Sequence, residues 1–266
     1  MTRRGFLKGL GTAGLGVGAT LTGGCHYYYI VKGELMQTNE MFVEPFRRKS
    51  FLTWNINAGR GLDGVRDLAR IAAVVKKADV AVTALQEIDR KTVRADGEDQ
   101  FTALETLTGL KGIWCTTGTR SAGEAGMALF VKTEPAKTNV VDLPGGGKVL
   151  CADYPSYSVA LLNLPVKDGD RAASVAKIIG LVEADRPLFL LGDWGEEPTS
   201  DLVQKLRRGF SVLTGFAKTY PADEPTSCVD YVALSLRHRM RFEHVGHEVL
   251  PEAVASDHRP VKVTAW

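Results

Sequence analysis

The chain has 266 residues, of which 44% are hydrophobic and 24% are charged, the proportions of an ordinary globular protein. That length suits one large α/β domain or two small ones. The formal net charge is +2, and residues 1–25 hold three basic side chains and no acid, so the remainder has a net charge of −1. This balance excludes a polycationic nucleic-acid-binding protein and argues against extended duplex DNA as a substrate.

Residues 1–25 are predicted to form a signal for export. Arg3 and Arg4 precede a glycine-rich, weakly apolar stretch that ends at Leu21, and this arrangement resembles a twin-arginine export signal. The stretch is too short and too mild for a stable transmembrane helix. Cys25 follows "LTGG" and resembles a lipoprotein acceptor cysteine. We therefore expect the twin-arginine export machinery as a partner, a periplasmic or membrane-anchored extracytoplasmic location, and a membrane tether through Cys25; an ordinary flexible N-terminus is the alternative.

Three further cysteines, Cys115, Cys151 and Cys228, leave the redox state open. Export permits one disulfide among them, whereas three buried thiols are the alternative. The sequence has neither a CxxC pair nor a Cys/His spacing typical of zinc. A structural zinc site is therefore excluded.

The elements predicted after a spacer at 26–47 begin with a strand at "FLTWNI". A helix over 63–78 has a 3.6-residue period with Val65 and Leu68 on its apolar face. The other predicted elements are, in chain order, strands at "VAVTALQE", "AGMALFVK", "SVALLNLPV", "PLFLLGD", "CVDYVALS" and "RPVKVTAW", with helices over 100–107 and 171–184 and from "PTSDLVQKL". Helices and strands alternate, but hairpin-like pairs intrude. One α/β domain over 48–266, built on a mixed sheet or on two sheets packed face to face, fits this order better than a Rossmann fold.

Polar residues end or interrupt the apolar strands, and these are Asn55, Glu87, Asp193, Asp230, Asp257 and His258. If the strand ends meet at one edge, the set suits Mg²⁺, which prefers oxygen ligands and keeps several waters. The imidazole can act as a general acid or base. Each residue alone also has an ordinary reading as a helix cap, a turn former or a solvated side chain. Asp230 is different, because it lies in an apolar strand and needs a partner, for which His258 is the natural candidate.

Five motifs in order, "TWNINAGRGLDG", "ALQEID", "LLGDWGEEP", "VDYVALS" and "SDHRPV", resemble the endonuclease/exonuclease/phosphatase superfamily, which includes deoxyribonuclease I. The resemblance covers about residues 51–266. It implies a four-layer α/β/β/α sandwich of two packed mixed sheets flanked by helices. It also implies hydrolysis of phosphate esters with a divalent metal, Mg²⁺ or Mn²⁺.

The resemblance also implies roles for individual residues. Asn55, Glu87 and Asp257 correspond to the family's metal site. His258 corresponds to the imidazole beside the scissile phosphate and Asp230 to its orienting partner, while Asp193 corresponds to the aspartate that positions or activates the attacking water.

Three positions depart from the family pattern. Gly195 stands where the family usually has an asparagine that helps hold the phosphate, and Asn163 stands where many relatives have a histidine on the leaving-group side. Met127 replaces another polar group. Asn163 remains a candidate catalytic residue, because it could partly fill the gap. Removal of one preorganised donor costs roughly 10²–10³ in rate, so the pattern predicts a weakened rather than an inactive site.

These observations favour an exported phosphoesterase with an altered site, acting on a lipid headgroup, a nucleotide or a sugar phosphate. The alternative is a degenerate family member that binds a metal or a phosphate ligand without catalysis. A serine hydrolase and a zinc peptidase are excluded, because the sequence has neither a GxSxG elbow nor an HExxH motif.

Overall fold

The computed structural model describes residues 15–19, 25–31, 34–37, 48–164, 170–242 and 245–266. The chain divides into two compact units, Met1–Arg47 and Arg48–Trp266. The first contains an antiparallel sheet of β1 (Leu15–Ala19), β2 (Cys25–Val31) and β3 (Glu34–Gln37). The paired arginines of the predicted export signal and the side chain of Cys25 lie outside the described residues. No helix in the described part of the chain is long and apolar enough to cross a membrane.

The second unit contains two six-stranded sheets. One has the order β14-β15-β4-β5-β7-β6 and the other the order β12-β13-β11-β10-β9-β8. The pairs β4/β5 and β10/β11 are parallel and the remaining pairs are antiparallel, so both sheets are mixed. The strands are β4 (Lys49–Asn55), β5 (Val82–Arg90), β6 (Lys111–Arg120), β7 (Gly123–Val131), β8 (Lys137–Asp142), β9 (Lys148–Asp153), β10 (Ser158–Asn163), β11 (Leu188–Asp193), β12 (Phe210–Val212), β13 (Asp230–Ser235), β14 (Val245–Val249) and β15 (Val261–Ala265).

Four helices flank these sheets in the described part of the second unit: α1 (Leu68–Ala78), α2 (Gln100–Thr108), α3 (Arg171–Ile179) and α4 (Asp201–Leu206). Side chains cap three of them, because Asp67, Asp99 and Ser200 accept hydrogen bonds from otherwise unpaired backbone N–H groups in the first turns of α1, α2 and α4. Gly109 ends α2 in the left-handed conformation at φ 74°.

Three layers of buried apolar side chains lie between the two sheets and between each sheet and its helices. The sheets bury a common core that includes Phe51, Leu129 and Phe189. The outer face of one sheet packs on α1 and α2 through residues such as Ile71, and the outer face of the other packs on α3 and α4 through residues such as Ile178. The predicted four-layer α/β/β/α sandwich is confirmed.

Two helix boundaries differ from the sequence-based prediction. The helix predicted over 63–78 begins at Leu68, and Val65 is 53% exposed instead of facing the core. The Asp67 carboxylate starts the helix by capping its first turn, so the period at Val65 was coincidental. The helix predicted over 171–184 ends at Ile179, with Gly180 as its cap.

The three cysteines of the second unit are free thiols and all are buried. Burial raises the pKa of Cys115 to about 11 and that of Cys151 to about 12. Of the two alternatives that the sequence left open, the structure has three buried thiols.

Candidate active site

The polar residues of the five motifs lie at or near the ends of strands from both sheets. Asn55 ends β4 and Glu87 lies in the neighbouring parallel strand β5. In the other sheet, Asp193 ends β11 directly opposite Asp230, the first residue of β13. Parallel strands bring their carboxyl ends to the same edge, and the face-to-face packing brings the two edges together.

Asn55 joins the two sheets at this edge. Its Nδ2 donates to Glu87 Oε1 at 3.2 Å and to Asp193 Oδ2 at 3.0 Å. Its Oδ1 accepts the backbone N–H of Asn57 at 3.0 Å, which fixes the orientation of the amide. Asn55 therefore holds two carboxylates from different sheets within reach of a single ligand.

His258 lies between two carboxylates. Its Nδ1 is 2.9 Å from Asp230 Oδ2, and its Nε2 is 3.8 Å from Asp193 Oδ2. Asp230 is fully buried, and its Oδ2 also accepts the Thr219 hydroxyl at 2.5 Å. Burial disfavours the imidazolium, but the hydrogen bond and charge of Asp230, aided by Asp193 and Asp257, raise the pKa of His258 to about 9.

The surroundings of Asp193 raise the pKa of its carboxyl group. Burial and the nearby charge of Asp230 raise its pKa to about 6, although His258, Asn55 and the backbone of Gly195 favour the ionised form. Gly195 N donates to Asp193 Oδ1 at 2.8 Å. A carboxylate with a pKa near 6 is ionised at neutral pH and is still basic enough to accept a proton from water.

The loop that precedes β15 brings Asp257 to the site. Ser256 Oγ donates to the backbone oxygen of Asn55 at 2.7 Å and lies 3.2 Å from Asp257 Oδ1. Trp54 Nε1 donates to the backbone oxygen of His258 at 2.8 Å. These bonds attach the loop to the end of β4, and they position Asp257 and His258 beside the other polar groups.

Comparisons with known proteins agree with this geometry. The model of the endonuclease/exonuclease/phosphatase family matches residues 52–258. The chain belongs to this family. No curated protein matches the chain by sequence.

Solved structures of the family share the fold. A family protein from Bacteroides thetaiotaomicron is 17% identical with a TM-score of 0.66, covering 82% of this chain and 95% of its own. A mannosyl-6-phosphatase from the same organism is 18% identical with a TM-score of 0.64, covering 82% and 99%. The catalytic domain of human Nocturnin, with bound sulfate, is 15% identical with a TM-score of 0.62, covering 82% and 94%. At these identities the likeness shows the fold alone.

Two β-bulges shape the endonuclease/exonuclease/phosphatase site of this chain. The pairing of β5 with β7 shifts between Leu85 and Ile88, where Glu87 has φ 55°. The pairing of β6 with β7 shifts between Thr116 and Gly118, so Thr117 is the extra residue. A bulge redirects a side chain that regular alternation would place elsewhere, and both Glu87 and Thr117 line the cleft beside Asp193.

The cleft has a volume of about 300 Å³, and Trp194, Gly195 and Leu164 lie along one side of it. Met127 is fully buried in the core between the sheets, so it does not fill the cleft. Asn163 ends β10, but its side chain lies outside the described residues. Gly195 and Met127, two of the three positions that differ from the expected family pattern, therefore leave the cleft open.

Sequence reasoning missed three cleft residues, Arg94, Thr117 and Arg120, and one support, Thr219. The bulge at Thr117 and the short 3-10 segment that contains Arg94 leave no periodic signal in the sequence. His238 lies in a 3-10 segment, Leu236–Arg241, which directly follows β13. That side chain is buried between Ser235 Oγ (2.7 Å) and the backbone oxygen of Ala184 (2.9 Å), away from the site.

The donor set of the site fits a divalent cation. Asp193, Asp230 and His258 offer ligand atoms that all lie within 4.8 Å of one another. Asp230 Oδ1 is buried without a hydrogen-bond partner among the described residues, and such an atom is costly unless a ligand or water satisfies it. Glu87 adds a further carboxylate, which shares the Nδ2 group of Asn55 with Asp193, and oxygen-rich sets are those that Mg²⁺ and Mn²⁺ prefer.

Proposed function

We propose that this family member is a divalent-metal-dependent phosphoesterase that hydrolyses a phosphodiester or a phosphomonoester. The observation that supports this most directly is the continuous series of contacts from Glu87 through Asn55, Asp193 and His258 to Asp230. Such a series combines metal ligands, a proton acceptor and an oriented imidazole within one cleft.

In the proposed reaction, Glu87, Asn55 and Asp257 would hold Mg²⁺ or Mn²⁺, and the ion would supply polarisation of a phosphoryl oxygen. Asp193 accepts a proton from the attacking water as the water oxygen bonds to phosphorus and the bond to the leaving oxygen breaks, and the released alkoxide takes a proton from solvent. His258, protonated at neutral pH because its pKa is about 9, donates a hydrogen bond to a phosphoryl oxygen. Asp230 keeps the imidazole in that orientation.

The departure at Gly195 gives the alternative function its support. No side chain at this position can donate to the phosphate, and this is the loss expected in a degenerate binding protein. Against that alternative, the cleft stays open and the contact series is complete. We therefore favour slow but real hydrolysis, with Asn163 as a candidate for part of the missing contact.

Hydrolysis of two chromogenic esters tests the proposal. The full chain is assayed with bis-p-nitrophenyl phosphate and p-nitrophenyl phosphate in Mg²⁺, in Mn²⁺ and with chelator, beside His258→Ala. The matched control is His247→Ala, because His247 is an exposed histidine on β14 outside the site. Metal-dependent turnover that is lost only in His258→Ala supports the phosphoesterase. Wild-type turnover no greater than that of His258→Ala would favour the binding protein.

We also propose that the enzyme acts outside the cytoplasm, on a lipid headgroup, a nucleotide or a sugar phosphate, and not on extended duplex DNA. The paired arginines, the glycine-rich stretch after them and the position of Cys25 support export by the twin-arginine machinery and a lipid tether. The mannosyl-6-phosphatase among the structural neighbours is consistent with a small sugar phosphate. Fractionation of cells that express the chain, with Arg3→Lys and Arg4→Lys together, tests export; unchanged periplasmic recovery would contradict it.

A further inference from the structure

The cleft is lined by acidic and basic side chains. Glu87 and Asp193, which we call the acidic end, belong to the contact series, and the side chains of Arg94 and Arg120 also line the cleft. A metal ion at the acidic end would compensate the carboxylates. The two guanidinium groups would then leave the rest of the cleft positively charged and suited to an anion.

Arg94 is held in place from behind by a buried acid. Its Nη2 donates to Asp89 Oδ1 at 2.9 Å and its Nε to Asp89 Oδ2 at 2.5 Å, while Asp89 is fully buried and also accepts the hydroxyl of Thr92. The remaining Nη1 makes only a 3.4 Å contact with Glu87 Oε2. A bidentate carboxylate fixes the guanidinium plane, so Nη1 is a preoriented donor at the cleft.

Arg120 lies close to Arg94 through the backbone. Val93 N donates to the oxygen of Ser121 at 3.2 Å, which attaches the segment of Arg94 to the hairpin of Arg120. Within the described residues, no carboxylate lies within ion-pair distance of Arg120. Thr117 also lines the cleft, but its hydroxyl donates to the backbone oxygen of Ala125 at 3.2 Å. Asp89 and Glu87 are the counter-charges of Arg94, whereas Arg120 is exposed, so an anionic ligand in the cleft would gain a second cation as a partner.

We propose that Arg94 and Arg120 form a second anion subsite, and that the substrate is a small phosphate ester with a second phosphate or carboxylate group. This inference rests on the proposed function, because the scissile phosphate would occupy the acidic end. A cleft of about 300 Å³ lies at the small end of ligand sites, which fits a sugar phosphate or nucleotide with two anionic groups.

Binding to the full chain with His258→Ala, in Mg²⁺, tests the subsite without requiring turnover. Calorimetry compares glucose 1,6-bisphosphate with glucose 6-phosphate. We expect the bisphosphate to bind about tenfold or more tightly, because a charge-assisted contact is gained. Arg120→Gln and Arg94→Gln should each bring the affinity ratio towards one, and Arg120→Lys should restore part of it. The matched control is Arg186→Gln, an arginine at the opposite end of β11 that pairs with Glu183.

The outcomes separate this inference from the proposed function. A ratio near one in the His258→Ala chain, or a ratio that adding Arg120→Gln leaves unchanged, overturns the subsite even if the chromogenic esters are hydrolysed. A ratio that falls in Arg120→Gln supports the subsite even if no ester is hydrolysed. Because Arg94 is anchored to a buried acid, its variant could fail to fold, whereas Arg120 is exposed and its variant keeps the test decisive.

Discussion

The charge state of His258 depends on one neighbour, Asp230, and this dependence is measurable. In the metal-free protein we expect an NMR titration to give a pKa near 9 for His258, against an ordinary value of 6.5. In Asp230→Asn the hydrogen bond to a charged acceptor is lost while the burial remains. The pKa of His258 should then fall by more than one unit, because burial alone disfavours the imidazolium.

The same shift predicts how stability depends on pH. A histidine whose pKa is raised on folding stabilises the protein fully below its unfolded-state pKa of about 6.5, and this contribution is lost as the pH rises through about 9. The free energy of unfolding, measured in urea at pH 6 and pH 10, should therefore fall less with rising pH in Asp230→Asn than in the wild type. Equal pH dependence in the two proteins would show that the pair does not contribute.

Gly195 stands where the family resemblance predicts an asparagine. It has φ 63°, and an added Cβ would meet no atom within 4 Å. Asparagine tolerates this left-handed conformation better than other residues, so Gly195→Asn should fold normally. We expect kcat/KM for p-nitrophenyl phosphate to rise by roughly 10-fold or more, up to the 10²–10³ that one preorganised donor contributes.

Gly195→Ala is the matched control for this substitution, because it adds a Cβ at the same backbone conformation without an amide. Its activity should not exceed that of the wild type. A gain in both variants would mean that backbone restriction, and not a new contact with the phosphate, is responsible.

Both bulges adjoin the same residue of strand β7, Gly126, so β7 needs a small residue at this position. Gly126 pairs with Ile88 on one side and with Thr116 on the other. A Cβ there would lie 2.4 Å from the backbone oxygen of Cys115 and 2.5 Å from the ring of Trp114. Gly126→Ala should therefore lower the free energy of unfolding by about 1–3 kcal/mol, as measured in urea.

Gly118 provides the control in the same hairpin. A Cβ at this position would meet no atom within 4 Å, so Gly118→Ala should change the free energy of unfolding by less than about 0.5 kcal/mol. Equal effects of the two substitutions would contradict the packing argument and would point instead to a general cost of side chains in this hairpin.

The apolar runs were sufficient to predict most of the central strands, because a strand buried on both faces is a continuous hydrophobic segment. Among the strands that were not predicted are the edge strands β12 and β14. They are short and partly exposed, so their sequences show little contrast between faces. The bulge at Thr117 could not be predicted from the sequence either, since its position depends on the pairing with β7 and not on local composition.

At the site, the sequence supplied the residues at strand ends and the partnership of Asp230 with His258, because a buried carboxylate needs a partner. It could not supply Thr219, which comes from a loop, or the bridge from Asn55 to Asp193, which exists only because two sheets pack face to face. Contacts between distant segments follow from topology, and a single sequence shows that topology only indirectly.

Across the whole molecule, both sheets converge on one cluster of acids, so metal binding should stabilise the entire second unit. At a Mg²⁺ concentration 100-fold above its Kd, mass action adds about 2.7 kcal/mol, which corresponds to a rise in Tm of roughly 5–10 °C for a domain of this size. We expect this rise in a thermal melt of the full chain, and we expect chelator to reverse it.

Glu87→Gln should remove most of this rise, because it deletes a charged oxygen beside Asn55 and Asp193. Glu183→Gln is the control, since Glu183 is an exposed acid paired with Arg186 at the far end of β11 and should keep the full rise. The same rise in Glu87→Gln and in the wild type would place the cation elsewhere, with the group of Asp193, Asp230 and His258 as the next candidate. Because those three groups are joined to Glu87 only through Asn55, the melt would distinguish two ligand sets that activity measurements alone would not separate.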